Sequence, residues 1–318
     1  MTRMRFSVAS LIWFFGAVAV TAWACTPACA GPQFQQERAP LPPRLVSLAP
    51  SNTEIVYAIG ADKQLVGVSD VCDYPPAAKA KLKVGSFVSA KVETITRLKP
   101  DAILLVSGQE ALANTLTNRK LRVVLLKNEH LADISANVKE LGRITGQTAR
   151  AEKLCKSFDK ALIQLSRIIA RAKSQPRIFI CVWPEPLITA GASSFIHEAV
   201  TACGGINIAA SLPAAYPRMN VERLVTGRPE ILVMAPQARQ QDFWQRAPWS
   251  STPAARNKQI FFLPEADKDP LSRPTLRIIE GLYWLSTILH PELKPELTAW
   301  KQSAAGELSL SLAKSDGY

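Results

Sequence analysis

The sequence predicts an α/β fold of two similar lobes, each built on a central, mainly parallel sheet, joined by one long helix and enclosing a ligand cleft. Three observations predict it: a phrase that occurs twice, a long helical stripe between its copies, and a hydrophobic content of 47% over 318 residues. This length and composition are sufficient for two domains with full cores and argue against disorder. Two lobes make a cleft, and clefts are where ligands bind.

The repeated phrase occupies residues 92–101 and again residues 221–230. In each copy a glutamate, Glu93 or Glu222, stands seven positions before a proline, and an acid and a short apolar run follow that proline. This order predicts a short helix, a proline stop and a buried strand. Two copies of the phrase therefore predict two lobes of similar construction.

Upstream of each copy, serines open an apolar helix that ends at glycine. Ser51 and Glu54 have the spacing of a capping box, and Ser193 with Ser194 opens the corresponding helix of the second half. Short apolar or β-rich runs predict further strands at residues 44–49, 65–68, 123–126, 177–182 and 259–263.

A long helix is predicted over residues 147–173, where apolar side chains recur at helical spacing without Gly or Pro. At 1.5 Å per residue it would be about 40 Å long. Because it lies between the two repeated halves, we expect it to connect them and to restrict how far they swing. The alternative is a helix packed within one lobe.

The N-terminus is typical of a secretory signal peptide. Arg3 and Arg5 precede an apolar run at residues 7–20, and small residues at 28–30 fit a cleavage site. An uncleaved membrane anchor is one alternative, although the run is short for a span. Lipid attachment through Cys25 is another. Cleavage would lower the formal charge from +12 to +10 by removing two arginines.

These signals give the following predicted organisation: signal peptide 1–30, leader 31–43, N-terminal lobe 44–146, connecting helix 147–173, C-terminal lobe 174–302 and tail 303–318. The basic residues are scattered and form no block or stripe with aromatic residues, so the charge does not predict nucleic-acid binding. A basic surface can equally attract an anionic ligand or a membrane face.

Catalytic and metal-binding motifs are absent from the sequence. It has no G-x-G-x-x-G, Walker loop or G-x-S-x-G, and its three histidines are far apart. We therefore predict a protein that is not an enzyme and holds neither a metal nor a resident cofactor. Four cysteines would remain after export, which allows a disulfide, while buried free thiols are at least as compatible with a core of this size. They are Cys72, Cys155, Cys181 and Cys203.

A further signal lies in several loop segments, namely 47–54, 67–70, 72–76, 83–85 and 202–207, together with both copies of the repeated phrase. These segments resemble the periplasmic substrate-binding proteins of cobalamin ABC importers, a family that shares its fold with siderophore and haem binders. The likeness covers about residues 44–292. It implies two α/β lobes, a rigid connecting helix, a shallow cleft and a periplasmic location.

The resemblance also implies ligand-binding residues, which are Tyr74, Phe87, Trp183, Tyr216, Asp267 and Asp269. Aromatic walls with polar tips suit a corrin, which is wide, flat and amphipathic, whereas packing beneath loops is the alternative for each aromatic residue. Arg218 and Arg273 are candidates for binding amide or carboxylate edges of a cargo, with solvated loop residues as the equal alternative.

Glu93 and Glu222 occupy positions where the family places one permease-docking acid in each lobe. A carboxylate in the first turn of a helix is favoured by the helix dipole, and a symmetric pair suits a two-fold partner, here an ABC permease dimer. The alternative is that both are simple acids at helix starts.

The implied function is capture of cobalamin or a related corrinoid by a monomer that delivers it to an ABC importer. The corrinoid would be cargo and not a cofactor. A ferric siderophore or haem is the alternative cargo for the same fold. A two-lobed nucleotide-dependent transferase is a remote alternative, because it requires a phosphate-binding loop and no export signal, and the sequence has the opposite of both.

Overall fold

A computed structural model of the chain describes residues 42–240, 245–263 and 270–312. Helices alternate with the strands of two sheets, which confirms the α/β prediction. The predicted signal peptide, most of the leader and Cys25 lie outside the described residues. None of the described helices is long and apolar enough to cross a membrane.

The first sheet is entirely parallel and has the strand order β2-β1-β3-β4. Its strands are β1 (Leu45–Ser47), β2 (Leu65–Val68), β3 (Ala102–Val106) and β4 (Val123–Leu126). The helices of this half are α1 (Pro50–Ala58), α2 (Val92–Arg97), α3 (Glu110–Asn118) and α4 (Leu131–Thr145). Parallel strands need crossover connections, and these helices supply them.

The second sheet has the order β6-β5-β8-β9, and β7 also pairs with β5. The pairing is parallel except between β5 and β6. Its strands are β5 (Arg177–Trp183), β6 (Ile188–Thr189), β7 (Ile206–Asn207), β8 (Ile231–Met234) and β9 (Ile260–Phe262). The long helix α5 (Thr148–Ile169) precedes it, followed along the chain by α6 (Phe195–Ala202), α7 (Val221–Thr226), α8 (Pro253–Arg256), α9 (Ile278–Leu289) and α10 (Lys294–Leu312).

Each sheet has one face in a shared core and one face in a core of its own, because successive side chains of a strand point to opposite faces. The strand residues in the shared core are Leu45, Ala102, Leu104, Ile178, Ile180, Ile231 and Val233. Their strand neighbours in the separate cores are Val46, Ile103, Leu105, Phe179, Cys181, Leu232 and Met234. Buried residues of α1, α4, α5, α6, α9 and α10 belong to the shared core. The two halves are therefore joined by continuous apolar packing.

The repeated phrase folds the same way twice. The predicted short helix is α2 in one half and α7 in the other, and the buried strand that follows is β3 or β8. At the end of each helix a basic residue, Lys99 or Arg228, has a positive φ of 46° or 48° before the proline. The prediction of a short helix, a proline stop and a strand is confirmed in both copies.

An arginine joins each copy to the neighbouring strand in the same way. Nε of Arg44 donates to the Leu98 carbonyl (3.1 Å), and Nε of Arg177 donates to the Gly227 carbonyl (2.8 Å). The acid after each proline accepts from the backbone N–H of that arginine, at 2.6 Å for Asp101 and 2.8 Å for Glu230. These bonds satisfy helix-end carbonyls and fix each phrase against its sheet.

The C-terminal segment corrects one prediction. Residues 303–318 were expected to be a weak tail, yet α10 continues through residues 303–312 and residues 313–318 lie outside the described part of the chain. Trp300 is buried and donates from Nε1 to the Ala161 carbonyl on α5 (2.8 Å), and Glu307 pairs with Lys160 (2.7 Å). Packing against α5 explains why this weakly patterned segment is helical.

His130, at the start of α4, contacts α6 of the other half. Its Nδ1 lies 2.7 Å from Oε1 of Glu198, and Oε2 of Glu198 accepts from the Leu131 N–H. Hydrogen bonding to Glu198 and the negative charges of Glu198, Asp133 and Glu129 raise the pKa of His130. A raised pKa in the folded state means that the protonated imidazole stabilises the contact between the two halves.

We expect this contact to weaken above neutral pH. The stabilisation is complete below about pH 6.5, the ordinary histidine pKa, and is lost as the pH rises through the raised folded value. An exposed pair of this kind is worth less than about 1 kcal/mol. Urea unfolding of the wild type and His130→Ala should differ at pH 5.5 and converge at pH 9, and an equal difference at both pH values would contradict the assignment.

Candidate ligand-binding site

In sheets of this kind, ligands bind beyond the carboxyl ends of the strands. Tyr74 lies in the loop after β2, and Trp183 is the last residue of β5. Phe87 lies in a turn between β2 and α2, closed by a hydrogen bond from the Ser86 N–H to the Ser89 carbonyl (2.9 Å). Tyr74 and Phe87 thus lie in loops, and Trp183 lies at a strand end.

Tyr74 is half-buried and packs against an arginine from the segment that precedes α9. Cζ of Arg277 lies 3.7 Å from the centroid of the tyrosine ring. The Arg277 side chain is only 10% exposed, and its Nε lies 3.2 Å from Oε2 of Glu54. A guanidinium over an aromatic face is a cation–π contact, which is stronger when the pair is shielded from water.

Glu54 is the centre of a buried ion cluster between the two halves. Nη1 of Arg273 lies 2.9 Å from Oε1 of Glu54 and 2.7 Å from Oδ1 of Asp73, and the Thr275 hydroxyl donates to Oε2 of Glu54 (3.1 Å). Two carboxylates therefore face the two guanidiniums of Arg273 and Arg277. Pairing of this kind is needed because an unpaired buried charge is strongly unfavourable.

The pKa values within the cluster follow from burial and charge. Burial raises the pKa of Glu54, and the positive charges of Arg277 and Arg273 oppose that rise without cancelling it. Partial burial acts in the same direction on Asp73, but the hydrogen bond and charge of Arg273 outweigh it, so the Asp73 pKa lies below its usual value. Asp73 is therefore held as a carboxylate beside Tyr74.

The ion cluster corrects the interpretation of Glu54 as part of a capping box. Helix α1 begins at Pro50, its N-cap is Ala49 without a side-chain cap bond, and Ser51 lies inside the helix. The Glu54 carboxylate binds Arg273, Arg277 and Thr275 instead. In the second half, by contrast, Ser194 does cap α6, because its hydroxyl accepts from the His197 N–H (3.1 Å).

The turn that carries Phe87 is held by a buried glutamine that the sequence did not single out. Nε2 of Gln109 donates to the Phe87 carbonyl (2.6 Å) and Oε1 accepts from the Val106 N–H (3.0 Å). The neighbouring Val88 is 79% exposed. An apolar side chain exposed beside a predicted binding residue is a further candidate for ligand contact.

In the second half, Trp183 and Tyr216 share one face of an extended arrangement. Trp183 is opposite Ile188 in the β5–β6 pair, and Ile188 is bridged to Arg218. Paired residues point to the same face, and Tyr216, two positions before Arg218, points there as well. Trp183 is 45% exposed and Tyr216 is 52% exposed.

Backbone hydrogen bonds fix the segment that carries Tyr216. The Gly191 N–H donates to the Ala215 carbonyl (2.9 Å), and the Thr189 N–H donates to the Pro217 carbonyl (3.1 Å). A Cβ at Gly191 would overlap the carbonyl oxygens of Leu212 and Ala214, so the close approach requires glycine. Although about half of the side chain is exposed, partial desolvation raises the pKa of Tyr216 above its usual value.

The two predicted arginines differ in what they contact. Arg273 is buried and neutralised by Glu54 and Asp73, which corrects its prediction as an available cargo-binding cation. Arg218 is exposed on the face of Trp183 and Tyr216, and its side chain has no hydrogen bond or ion pair with any residue that the structure describes. Asp267 and Asp269 lie outside the described residues.

Glu93 and Glu222 are both exposed and lie at the second position of α2 and α7. The four cysteines are buried and free. Burial raises the pKa of Cys181 to about 11 and that of Cys203 to about 12, which makes both thiols poor nucleophiles. Within residues 42–240, 245–263 and 270–312, the structure contains no cluster of three or more His, Cys, Asp or Glu able to hold a metal.

Sequence reasoning did not find Gln109, Arg277 or the ionic role of Glu54. The available signal was a polar residue within an otherwise buried run, as at Glu54 beside Ile55 or at Arg277 before the apolar start of α9. A buried charge needs a partner, but the sequence does not show which residue supplies it.

Two α/β halves with aromatic side chains in loops at the strand ends define a two-lobed small-molecule binding protein. The chain belongs to the periplasmic binding protein family, whose sequence pattern it matches over residues 45–266. This membership gives it a ligand-binding role and a periplasmic location.

Individual relatives have stated ligands. The chain is 30% identical to a vitamin B12-binding protein of Vibrio parahaemolyticus, over 75% of this chain and 86% of that protein. It is similar to the crystal structure of a periplasmic vitamin B12 binding protein of Vibrio cholerae, with a TM-score of 0.71, 28% identity and coverage of 78% of this chain and 96% of the other. It is also similar to the crystal structure of a periplasmic heme binding protein of Pseudomonas aeruginosa, with a TM-score of 0.69 and 26% identity. The match covers 79% of this chain and 94% of the other.

Proposed function

We propose that the protein captures cobalamin or a related corrinoid in the periplasm and delivers it to an ABC importer. The observation that carries the proposal is the exposed aromatic face of Trp183 and Tyr216 in a chain whose relatives bind vitamin B12. Large apolar rings left half exposed in a soluble domain are typical of binding surfaces. A corrin is flat and wide enough to cover such rings.

The four aromatic residues would contact the cargo from both halves. Tyr74 and Phe87 belong to the first half, and Trp183 and Tyr216 to the second. Asp267 and Asp269 would receive polar groups at the corrin edge. The shared core between the halves limits their relative movement, so the site would be largely formed before the cargo arrives. The corrinoid is cargo in this proposal, and no catalytic step is involved.

A spectral titration with cyanocobalamin tests the proposal. The wild type is expected to bind, and Trp183→Ala should bind about tenfold more weakly, which corresponds to about 1.4 kcal/mol. Ile163→Ala is the matched control, because Ile163 is 54% exposed on α5, against 45% for Trp183, and lies on no proposed contact surface. Failure of the wild type to bind at micromolar protein concentration would remove the corrinoid assignment.

Haem or a ferric siderophore is the second candidate cargo, and Arg218 is the observation that favours it. Arg218 has no ion pair with any described residue, so it could bind a carboxylate of an anionic cargo beside the two exposed aromatic rings. Arg273 cannot assist, because Glu54 and Asp73 already neutralise it. The same titration with haem and with a ferric siderophore separates the candidate cargoes. Tight binding of haem or of the siderophore, without binding of cyanocobalamin, would favour the second candidate.

Delivery would proceed through Glu93 and Glu222. The two acids are exposed at equivalent positions of α2 and α7, and the arginine and acid contacts around both copies of the phrase are the same. A monomer that presents one acid in each half would suit two cationic sites on a two-fold permease dimer.

Export would require the N-terminal signal. Cleavage after Ala30 would release a soluble mature protein, whereas attachment through Cys25 would hold it on a membrane. The intact mass of the exported protein distinguishes these two forms, because the form attached through Cys25 carries the mass of the lipid and keeps residues 25–30.

A further inference from the structure

Tyr74 is held by contacts that leave its ring little freedom. Arg277 covers one side of the ring, with Cζ 3.7 Å from the ring centroid. The preceding residue, Asp73, is bound by Arg273 (2.7 Å). The Tyr74 ring and the side chain of the neighbouring Asp73 are therefore each in contact with an arginine from the segment before α9.

Arg277 has one contact at its side chain and one at its backbone. Its Nε lies 3.2 Å from Oε2 of Glu54, and its backbone N–H donates to the Thr275 hydroxyl (3.2 Å). That hydroxyl donates in turn to Oε2 of Glu54 (3.1 Å). Glu54 is only 3% exposed, so the charge of Arg277 has a buried partner, although Nε and Nη2 of Arg277 make no hydrogen bond within the described part of the chain.

Covering one side of a tyrosine ring has a consequence for binding. Tyr74 is only half-buried, so the part of the ring that Arg277 does not cover could contact a cargo, and a ring held by Arg277 would lose less rotational freedom when the cargo arrives. Immobilising a mobile side chain at an interface has an entropic cost, so a ring oriented in advance favours binding.

We propose that Arg277, supported by Glu54, is a positioning residue that fixes the Tyr74 ring for the cargo without contacting the cargo itself. This inference rests on the proposed function and assigns a role to a residue outside the predicted contact set. The planar guanidinium is the necessary feature, because lysine keeps the charge near Glu54 but cannot cover the ring in the same way.

Arg277→Lys tests the inference in three backgrounds, with cyanocobalamin as the probe. In the wild-type background we expect affinity to fall about fivefold to tenfold. In a Tyr74→Phe background the same loss should persist, because the ring remains. In a Tyr74→Ala background Arg277→Lys should cause no further loss, since the group that Arg277 positions is gone. Thermal unfolding of each variant provides an independent measure of folding.

Unchanged affinity in Arg277→Lys would overturn the inference. An equal loss in the Tyr74→Ala background would also overturn it, because Arg277 would then act on the cargo directly or through general damage to the fold. Failure of the proposed function is recognised separately, by wild-type protein that does not bind cyanocobalamin. If the wild type binds haem in place of cyanocobalamin, the same three backgrounds are compared with haem.

Discussion

Replacing Arg273 with methionine is expected to lower the free energy of unfolding by about 3–5 kcal/mol, the cost of removing one partner of a buried ion pair. A single guanidinium nitrogen of Arg273 contacts Glu54 at 2.9 Å and Asp73 at 2.7 Å. Methionine fills similar space but leaves two carboxylates with Arg277 as the remaining cation of the cluster. Urea unfolding at pH 7 measures the loss.

Arg143→Met is the matched control for this prediction. Arg143 makes two hydrogen bonds to Glu140, at 2.7 and 3.0 Å, but its side chain is 66% exposed. Solvent screens that pair, so no measurable change is expected. Similar losses in the two variants would show that burial of the ion cluster does not determine its contribution.

The effect of Arg273→Met should also depend on pH. In the wild type the Asp73 pKa is lowered, so its stabilising contribution is present above the ordinary value of about 3.9 and is lost as the pH falls through the folded value. The difference between wild type and variant should therefore shrink from pH 7 to pH 3. A difference that is constant over this range would contradict pairing of Asp73 with Arg273.

Reversing Glu93 and Glu222 together to lysine is expected to abolish uptake while leaving cargo affinity nearly unchanged. Both side chains are exposed at the start of short helices, so their replacement disturbs no buried contact. Two lysines would face the cationic sites that we propose on the permease, and like charges across an interface are strongly unfavourable. Each single reversal should give intermediate uptake, because one contact remains.

Uptake of labelled cyanocobalamin into cells that carry each variant tests this prediction, together with a binding titration of the purified proteins. Glu152→Lys with Glu280→Lys is the matched double control, since both are exposed acids on helices outside the repeated phrase. Normal uptake by the Glu93 and Glu222 double variant would remove the docking assignment. Loss of uptake in the control variant would show that the change in net charge, and not the two docking positions, causes the loss.

The repeated phrase shows how much local pattern alone can predict. A short helix, a proline stop and a strand were predicted at residues 92–106 and 221–234, and the structure has them in both places. These features depend on neighbours along the chain: proline restricts the residue before it, and a short apolar run needs burial. The same reasoning failed at residues 303–312, because their helix depends on packing against α5.

Part of the candidate site was likewise predictable from the sequence, and part of it was not. Aromatic residues in loops were visible in the sequence, and the structure leaves Trp183 and Tyr216 exposed on one face. The support beneath Tyr74 was not visible, and Glu54 was misinterpreted as a cap. A Ser-x-x-Glu pattern has the same local spacing whether its carboxylate caps a helix or binds an arginine elsewhere.

By itself, the sequence determined the α/β class and the duplicated construction, and it indicated the aromatic residues of the candidate site, because these features depend on residues that are close along the chain. Only the tertiary structure decided that Glu54 contacts Arg273, 219 positions further along the chain, and that Arg277 lies against Tyr74. The contact with Glu54 neutralises Arg273, so this arginine is not available to bind a cargo. Such pairings arise when packing of the two halves excludes water and each buried charge must find a partner, a requirement that no local pattern encodes.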